Sequence, residues 1–329
     1  MEKIYINGIG NISPQNTFDE SIGEKLVKSV DSFFVCQEPQ YKQFIQRKLL
    51  RRMSRAVRMG LAAAHKSLKE AKDPAIDAIV TGTAWGCVKD TEKFLETIIE
   101  NNEQYLTPTA FVQSTHNTVA GQIALMHHNN CYNMSYVQGS VSFESALIDA
   151  ILLFKDGNTQ NVLAAGIDEQ TDQLKILLKR LTCARESYPM GEGAACFVLS
   201  NRKEEFSYAK LAGVKMIYRP KNIRALENHV KSAIDNANIT PDQVNLILTG
   251  YAPPPFAKSM FPDAQLFNYK QLCGEYPTST AFAMAIGAKA IQNDEKTKKA
   301  LGLKHSPNNI IIYNQAENIH HSIIILSKA

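Results

Sequence analysis

The chain has 329 residues, of which 44% are hydrophobic and 21% charged, so it is long and apolar enough to bury a large core in one domain or two. The 17 glycines and 13 prolines are too few for a collagen-like or low-complexity chain, and a formal net charge of +4 is too small to indicate a nucleic-acid-binding protein. The sequence contains neither a long uninterrupted apolar run nor a signal-peptide pattern, so we expect no membrane span and no secretion.

Apolar runs of strand length alternate with segments of helical periodicity along the chain, which predicts an α/β fold whose sheet is covered on its faces. The predicted strands lie at 4–9, 78–80, 134–137, 162–165, 195–199 and 246–248. Apolar residues at every third or fourth position predict one long amphipathic helix that starts near Phe44 and ends before Asp73. Further helices are predicted over 117–128, 146–154 and 223–237.

Cysteine usage indicates a reducing compartment. The six cysteines are scattered, form no CxxC pair and lie mostly in apolar surroundings, which favours buried thiols over disulfides or zinc ligands. The histidine pairs at 127–128 and 320–321 have no accompanying ligand spacing, and adjacent side chains point apart on a helix or strand. We therefore expect a cytoplasmic protein with no metal and no other cofactor.

Two similar segments indicate an internal duplication. IVTGTA at 79–84 and ILTGYA at 247–252 each follow a predicted helix and a proline, and each begins within a predicted strand. The same order of elements around both segments favours two related halves over chance similarity. A charged stretch at 201–205 separates them, so we place the halves at 1–204 and 205–329, packed as one compact unit.

Several segments together resemble the β-ketoacyl synthase family, which has the thiolase fold. They are INGIGNISP at 6–14, TPTAFVQSTHNTVAGQIAL at 107–125, GEGAACFVL at 191–199, and the final loop and strand at 314–326. The resemblance covers nearly the whole chain. It implies a thiolase-like five-layer α/β/α/β/α subunit with two related βαβαβ halves.

The resemblance also implies where the catalytic groups of the family should lie. Family members condense an acyl chain with malonyl-carrier protein by means of a cysteine nucleophile and two histidines. The cysteine position, at a strand-to-helix turn, is Ser140, and the histidine positions are Gly250 and Glu275. The lysine that precedes the second histidine by five residues is retained as Lys270, and the family's glycine-rich GFGG loop is replaced by Glu-Asn-Ile-His at 317–320.

These replacements predict a site that does not condense acyl chains. A serine hydroxyl is a much weaker nucleophile than a thiol, a glycine cannot act as a base, and an ionised Glu275 would repel a developing enolate. The resemblance therefore implies a catalytically silent, chain-length-factor-type subunit that pairs with an active β-ketoacyl synthase in type II polyketide, aryl polyene or fatty-acid-like synthesis. Family members dimerise through the strand next to the nucleophile turn, here 134–137.

Two alternatives stay open at this point. Ser140 could act as an acyltransferase or hydrolase nucleophile on acyl-carrier-protein or acyl-CoA substrates, assisted by Glu275. The chain could also be a homodimeric scaffold that binds acyl chains without chemistry. These residues could instead have purely structural roles. Ser140 would then be a helix N-cap, and Glu275 would form a hydrogen-bonded pair with Tyr276 or an ion pair with Lys270.

A basic run contains no acidic residue between Pro39 and Lys69. Its members, which we place on the one long helix, are Lys42, Arg47, Lys48, Arg51, Arg52, Arg55 and Arg58. A solvated helix face is the simplest interpretation, but acyl carrier proteins are acidic and dock on basic residues of such subunits. Arg47, Arg51, Arg52, Arg55 and Arg58 are the docking candidates. A nucleic-acid partner is disfavoured because no aromatic interleaving or binding module accompanies the run.

Overall fold

The computed structural model describes residues 3–19, 21–22, 25–30, 32–181, 188–251, 253–316 and 319–329. The strands of this part of the chain are β1 (Ile4–Ile12), β2 (Ala78–Gly82), β3 (Tyr132–Tyr136), β4 (Asn161–Asp168), β5 (Gly193–Ser200), β6 (Ala209–Tyr218), β7 (Leu246–Thr249), β8 (Gln265–Asn268), β9 (Asn309–Ala316) and β10 (His320–Ser327). The helices are α1 (Arg47–Leu50), α2 (Arg55–Glu70), α3 (Val88–Glu100), α4 (Pro108–Ser114), α5 (Thr118–Met126), α6 (Ser142–Lys155), α7 (Asp172–Leu181), α8 (Ile223–Ala237), α9 (Ala257–Met260), α10 (Lys270–Cys273), α11 (Ser279–Ile291) and α12 (Glu295–Ala300).

The strands form two sets with the same internal order. The first set runs β3-β2-β4-β5-β1 and the second runs β8-β7-β9-β10-β6, and the sets are joined where Ile4–Ile6 of β1 pair with 209–211 of β6. In each set the second strand is parallel to its two neighbours and the last two pairings are antiparallel. IVTGTA and ILTGYA thus begin on equivalent strands, β2 and β7, which confirms two related halves. The boundary at 204/205 stays a prediction.

Three clusters of buried side chains separate the layers. The central cluster contains residues of α6 and α11 together with strand residues of both sets. The other two lie on the outer faces, one built on α2 and the other on α8. Successive strand residues alternate between clusters, as strand geometry requires: Phe197 and Ile312 belong to the central cluster, whereas Val198 and Ile311 belong to outer ones. This arrangement confirms the predicted five-layer α/β/α/β/α fold.

The predicted long helix near residues 44–72 is wrong in one respect, because it consists of two helices. The chain turns after α1, and α2 starts afresh at Ser54, whose hydroxyl accepts a hydrogen bond from the backbone N–H of Val57. A serine N-cap satisfies a free N–H of the first turn and so starts a new helix inside an otherwise helical pattern. Hydrophobic periodicity alone does not reveal this break.

Asp168, at the end of β4, ties the two halves together. It is fully buried and accepts hydrogen bonds from the hydroxyl and the backbone N–H of Thr278, just before α11, and from the hydroxyl of Thr83 and the N–H groups of Ala84 and Trp85, just after β2. Five donors offset the cost of burying this carboxylate. The start of the central helix α11 is thereby held against the end of the first half's β2.

Glu169 joins the first turns of two helices. Its carboxylate accepts hydrogen bonds from the backbone N–H of Ala56 in α2 at 3.0 Å and of Lys89 in α3 at 3.3 Å. The residue is 1% exposed. Burial raises the pKa of Glu169 to about 7, although the two N–H groups and Arg55 oppose the shift.

This carboxyl predicts a specific pH dependence of stability. Between pH 4.5 and 7 the unfolded chain loses the Glu169 proton while the native chain keeps it, so the free energy of unfolding falls as pH rises across this window. The expected loss is about 3 kcal/mol, and it should be absent from Glu169→Gln. Urea unfolding of both proteins at several pH values across the window measures it. An unchanged slope in Glu169→Gln would contradict the assignment.

Candidate functional site

The predicted nucleophile turn connects β3 to α6. Ser140 lies in a short 3-10 turn, Gly139–Val141, that begins with Gly139 at φ +57°. The hydroxyl of Ser142 closes this turn by accepting from the N–H of Gln138 and donating to the carbonyl of Gly139, both at 2.8 Å. The N-cap position of α6 is Val141, so the interpretation of Ser140 as the N-cap is wrong.

Lys270 is the centre of the polar cluster in the site. Its side chain is 2% exposed, and its Nζ donates to both carboxylate oxygens of Glu275 at 2.6 Å and to Oδ1 of Asn314 at 2.9 Å. A lysine ammonium has three N–H donors. All three therefore have an acceptor within the protein, and none is left for an enolate.

Gly250 and Ser140 lie next to this cluster. A Cβ placed on Gly250 would be 3.4 Å from Cε of Lys270, and Nδ2 of Asn314 donates to the carbonyl of Ser140 at 3.5 Å. The fold thus gathers all four residues that the sequence selected, Ser140, Gly250, Lys270 and Glu275. Asn314 is a further member of this site. The sequence motifs did not predict it there, because it was identified only as the first residue of the last segment, 314–326.

Glu275 pairs with Lys270 rather than with Tyr276. Its side chain is 45% exposed, and its backbone is paired with the GEGA segment through the N–H of Gly191, which donates to the Glu275 carbonyl. Tyr276 is buried, and its hydroxyl faces Gly193. Of the two structural interpretations, the ion pair is therefore the one that the geometry favours.

Within the described residues, no hydrogen bond joins Ser140 to a histidine or a cysteine. The thiol nearest in sequence to Glu275 is Cys273, which is fully buried and directs its Sγ toward the carbonyl of Gly274 at 3.4 Å. Burial raises the pKa of Cys273 well above its ordinary value, so this thiol is a poor nucleophile. His321, near the replaced GFGG loop, is bonded through Nδ1 to Tyr313 in the outer cluster of the second half. Glu317 and Asn318 lie outside the described residues.

A stacked aromatic pair is hydrogen-bonded to the backbone of Lys270. The rings of Tyr188 and Tyr251 stack with their centroids 4.0 Å apart, and the Tyr251 hydroxyl lies 3.1 Å from the carbonyl of Pro189 and 3.2 Å from that of Lys270. Tyr251 directly follows the glycine at the first histidine position. The segment that carries a histidine in the family here supplies a tyrosine held by backbone acceptors.

Glu144 is a buried acid that sequence reasoning missed. It lies in the first turn of α6, four residues after Ser140, and its Oε1 accepts from the hydroxyl of Ser322 in β10 at 2.7 Å. It is fully buried, and burial raises its pKa. Glu144 is the one acidic residue between Cys131 and Ile148 in the sequence, which was the available signal. Its hydrogen bond with Ser322 links α6 to the second half.

The predicted basic helix needs correction. Its residues are spread over a 3-10 turn, α1, the turn 51–54 and α2. Arg47, Lys48, Arg51 and Arg52 are exposed. The Arg55 guanidinium, in contrast, is bonded to Glu192 of the GEGA motif and to Glu38, so it is not free for a partner, because a structural ion pair already uses its donors.

The strand that leads into the turn is an edge strand. Among the described residues, β3 is at the end of its strand set and is paired on one side only, with β2, and Met134 on it is 41% exposed.

Helices α3 and α4 are also exposed and bury no residue. They contact each other, as Phe94 and Phe111 do, and apolar side chains remain exposed at Ile99 (77%) and Val112 (60%). An unpaired strand edge and exposed apolar side chains are features that interaction surfaces commonly have.

The described residues contain no group of three or more histidine, cysteine or acidic side chains placed to hold a metal ion. None of the helices in these residues is both long and apolar enough to cross a bilayer.

Comparison with known proteins agrees with this geometry. Residues 34–199, half of the chain, match the family model described as "Beta-ketoacyl synthase, N-terminal domain". No curated protein sequence matches the chain.

Solved structures share the fold at low sequence identity. The ishigamide ketosynthase/chain length factor has a TM-score of 0.79 at 16% identity, with 99% of each chain covered. The ketosynthase ApeO in complex with its chain length factor ApeC, from Xenorhabdus doucetiae, gives 0.77 at 14% identity, with 100% of this chain and 98% of that one covered. The AntDE:AntF complex, a type II acyl-carrier protein with its ketosynthase bound to the hexaketide, gives 0.75 at 14% identity, with 100% and 99% covered. With the family model matched over half of its length and the fold matched over all of it, the chain belongs to the β-ketoacyl synthase family.

Proposed function

We propose that this chain is a catalytically silent, chain-length-factor-type subunit that pairs with an active β-ketoacyl synthase. The observation that carries the proposal is the Lys270 cluster. Glu275 is at the position where the family has an imidazole donor. Together with Asn314 it accepts hydrogen bonds from all three N–H groups of Lys270. The site therefore presents a carboxylate, a glycine and a hydroxyl where condensation needs two imidazoles and a thiol.

The edge of the first strand set supports pairing. Among the described strands, β3 has one unpaired edge, and a strand edge is completed most simply by another strand. Solved structures that share this fold include ketosynthase and chain length factor pairs. We propose that β3, α3 and α4 meet an active paralogue and help to shape the acyl channel in type II polyketide, aryl polyene or fatty-acid-like synthesis, in the cytoplasm.

The exposed part of the basic run supports a carrier-protein contact. Arg47, Arg51 and Arg52 are exposed on adjacent turns, whereas Arg58 is half-buried and Arg55 is paired. Acidic partners are steered to such surfaces, and rim charges change the association rate more than the final affinity. We propose Arg47, Arg51 and Arg52 as the carrier-protein docking residues.

Matched substitutions at the two ends of the strand order test the pairing. Met134 on β3 and Leu266 on β8 are 41% and 38% exposed, and each lies on an end strand. Co-expressed with the active ketosynthase from the same gene neighbourhood, the wild-type chain should co-purify in a 1:1 complex. Met134→Arg should abolish the complex, and Leu266→Arg should leave it intact. A wild-type chain that forms only homodimers, and does not change the product profile, would support the homodimeric scaffold and overturn the proposal.

The enzymatic alternative has less support. A Ser140-dependent acyltransferase or hydrolase would need Glu275 as a base, but both carboxylate oxygens of Glu275 accept hydrogen bonds from Lys270. Both oxygens are therefore engaged by the ammonium, and no hydrogen bond joins Glu275 to Ser140 among the described residues.

A further inference from the structure

The strand β3 and the helix α6 together form an exposed face. Alternate residues of a strand share a side, and Tyr132 and Met134 are on the α6 side of β3, since the Tyr132 hydroxyl donates to Oδ2 of Asp149 in α6 at 3.1 Å. The other side of β3 meets α5, where Asn133 donates to the carbonyl of Ala120 at 3.1 Å. Tyr132 and Met134 are 40% and 41% exposed, so the α6 side of β3 is accessible.

A stripe of α6 adjoins these strand residues. Positions three and four residues apart lie on the same side of a helix, so Ser145, Asp149 and Leu152 form one stripe. Leu152, at one end, is 51% exposed. At the other end the Ser145 hydroxyl lies 3.6 Å from Sδ of Met216 in β6, which is 36% exposed. We call the surface formed by Tyr132, Met134, Asp149, Leu152 and Met216 the β3–α6 face.

Asp149 is the charged member of the β3–α6 face. Between His128 and Lys155 the sequence contains two charged residues, Glu144 and Asp149. Glu144 is fully buried and bonded to Ser322, whereas Asp149 is partly exposed. Among the described residues, no cationic side chain forms an ion pair with Asp149. A tyrosine hydroxyl therefore holds this charge in place without neutralising it.

The carboxylate distinguishes between two partners that could cover the face. In a two-fold symmetric pair of identical chains the same surface meets itself, so each copy would bury one carboxylate and offer no cation from the β3–α6 face. Arg219 lies beyond this face, over the ring of Tyr218, with 5.3 Å between Cζ and the ring centroid. A buried charge without a counter-charge is strongly destabilising.

A different chain can place a lysine or an arginine opposite Asp149. Opposite charges that meet in one complex, together with an unpaired charge in the competing complex, are a common source of specificity. The exposed apolar side chains of the β3–α6 face supply contact area in either complex. The single carboxylate is thus the feature of this face that separates the two.

We propose that Asp149 selects the partner that covers the β3–α6 face: an active ketosynthase paralogue that presents a lysine or an arginine to this carboxylate, in preference to a second copy of the chain. This role rests on the proposed function, in which β3 meets such a paralogue. It adds the chemistry of the contact and a physical reason why self-pairing is disfavoured.

Two affinities of the full-length chain test this role: that for the active ketosynthase from the same gene neighbourhood, and that for itself. Asp149→Asn keeps the shape of the side chain and an acceptor for Tyr132 but removes the charge. It should weaken the complex with the ketosynthase at least about tenfold and tighten self-association at least about tenfold. Asp149→Lys should weaken the complex at least about a hundredfold, because it sets like charges against each other. Analytical ultracentrifugation measures both affinities.

Asp235→Lys is the matched control. Asp235 is an exposed acid of α8, which packs in the outer layer of the second half, so the same charge reversal there should leave both affinities unchanged. If Asp149→Asn binds the ketosynthase as tightly as the wild-type chain does, the role of Asp149 is overturned while the proposed function stands.

A wild-type chain that does not bind the ketosynthase would contradict the proposed function instead. Self-association still tests Asp149 in that case. Tighter self-association of Asp149→Asn would support its action against self-pairing, and equal self-association of the two proteins would overturn it. A wild-type chain that pairs with itself as tightly as with the ketosynthase would overturn it as well.

Discussion

Glu275→Ala is expected to lower the free energy of unfolding by about 3 kcal/mol. The substitution removes both carboxylate acceptors and leaves the Lys270 ammonium, 2% exposed, with Asn314 alone. A buried charge without its partner is strongly destabilising, whereas replacing the whole pair by apolar groups is often neutral. The double variant Lys270→Met/Glu275→Ala should therefore recover most of the loss, as measured by urea unfolding.

An exposed pair with the same separation is the control. Lys69 and Asp73 are also 2.6 Å apart, but their side chains are 58% and 54% exposed. Asp73→Asn should cost at most about 0.5 kcal/mol, since exposed ion pairs contribute little and asparagine tolerates the positive φ of this residue (52°) as aspartate does. Equal losses in Glu275→Ala and Asp73→Asn would show that the Lys270 ammonium is not buried as described.

Gly10→Ala is expected to prevent folding or to destabilise the protein by about 4 kcal/mol or more. A Cβ at residue 10 of β1 would lie 1.9 Å from the carbonyl oxygen of Ala63 in α2. The obstacle is the backbone of a fully packed helix, so neither element can move aside cheaply. The measurement is soluble yield, followed by thermal unfolding of whatever folds.

Gly121→Ala is the matched control for that substitution. Gly121 lies in α5, and nothing is within 4 Å of the position that its Cβ would take. Alanine there should stabilise the protein by about 0.5–1 kcal/mol through helix propensity. A soluble Gly10→Ala variant with the melting temperature of the wild-type protein would contradict the close packing of β1 on α2.

The layered fold could be predicted because its signals are local and repeated. Strand-length apolar runs and the duplicated IVTGTA and ILTGYA segments lie where β2 and β7 are found. The break before α2 could not be predicted from periodicity, because a single hydroxyl, that of Ser54, interrupts a pattern that otherwise continues. The ion pair that engages Arg55 could not be predicted for a different reason, because its partner Glu192 is 137 residues away in sequence.

The sequence predicted which residues form most of the candidate site, but not the hydrogen bonds between them. Motif order located Ser140, Gly250, Lys270 and Glu275, and the fold brings them to one place. The bond from Lys270 to Asn314 spans 44 residues and has no local signal. Such contacts depend on how β9 packs beside α10, which only the tertiary structure determines. The catalytic silence inferred from the motifs stays a proposal until chemistry is measured.

Intact-mass spectrometry of the purified chain is the most direct test of that silence. The protein is incubated with malonyl-loaded and acyl-loaded carrier protein, and with the corresponding CoA thioesters, over a range of chain lengths. We expect no mass increase on the chain and no β-ketoacyl product. A covalent acyl adduct that disappears in Ser140→Ala would contradict the account, because it would mean that the hydroxyl is activated despite the engagement of Glu275 with Lys270.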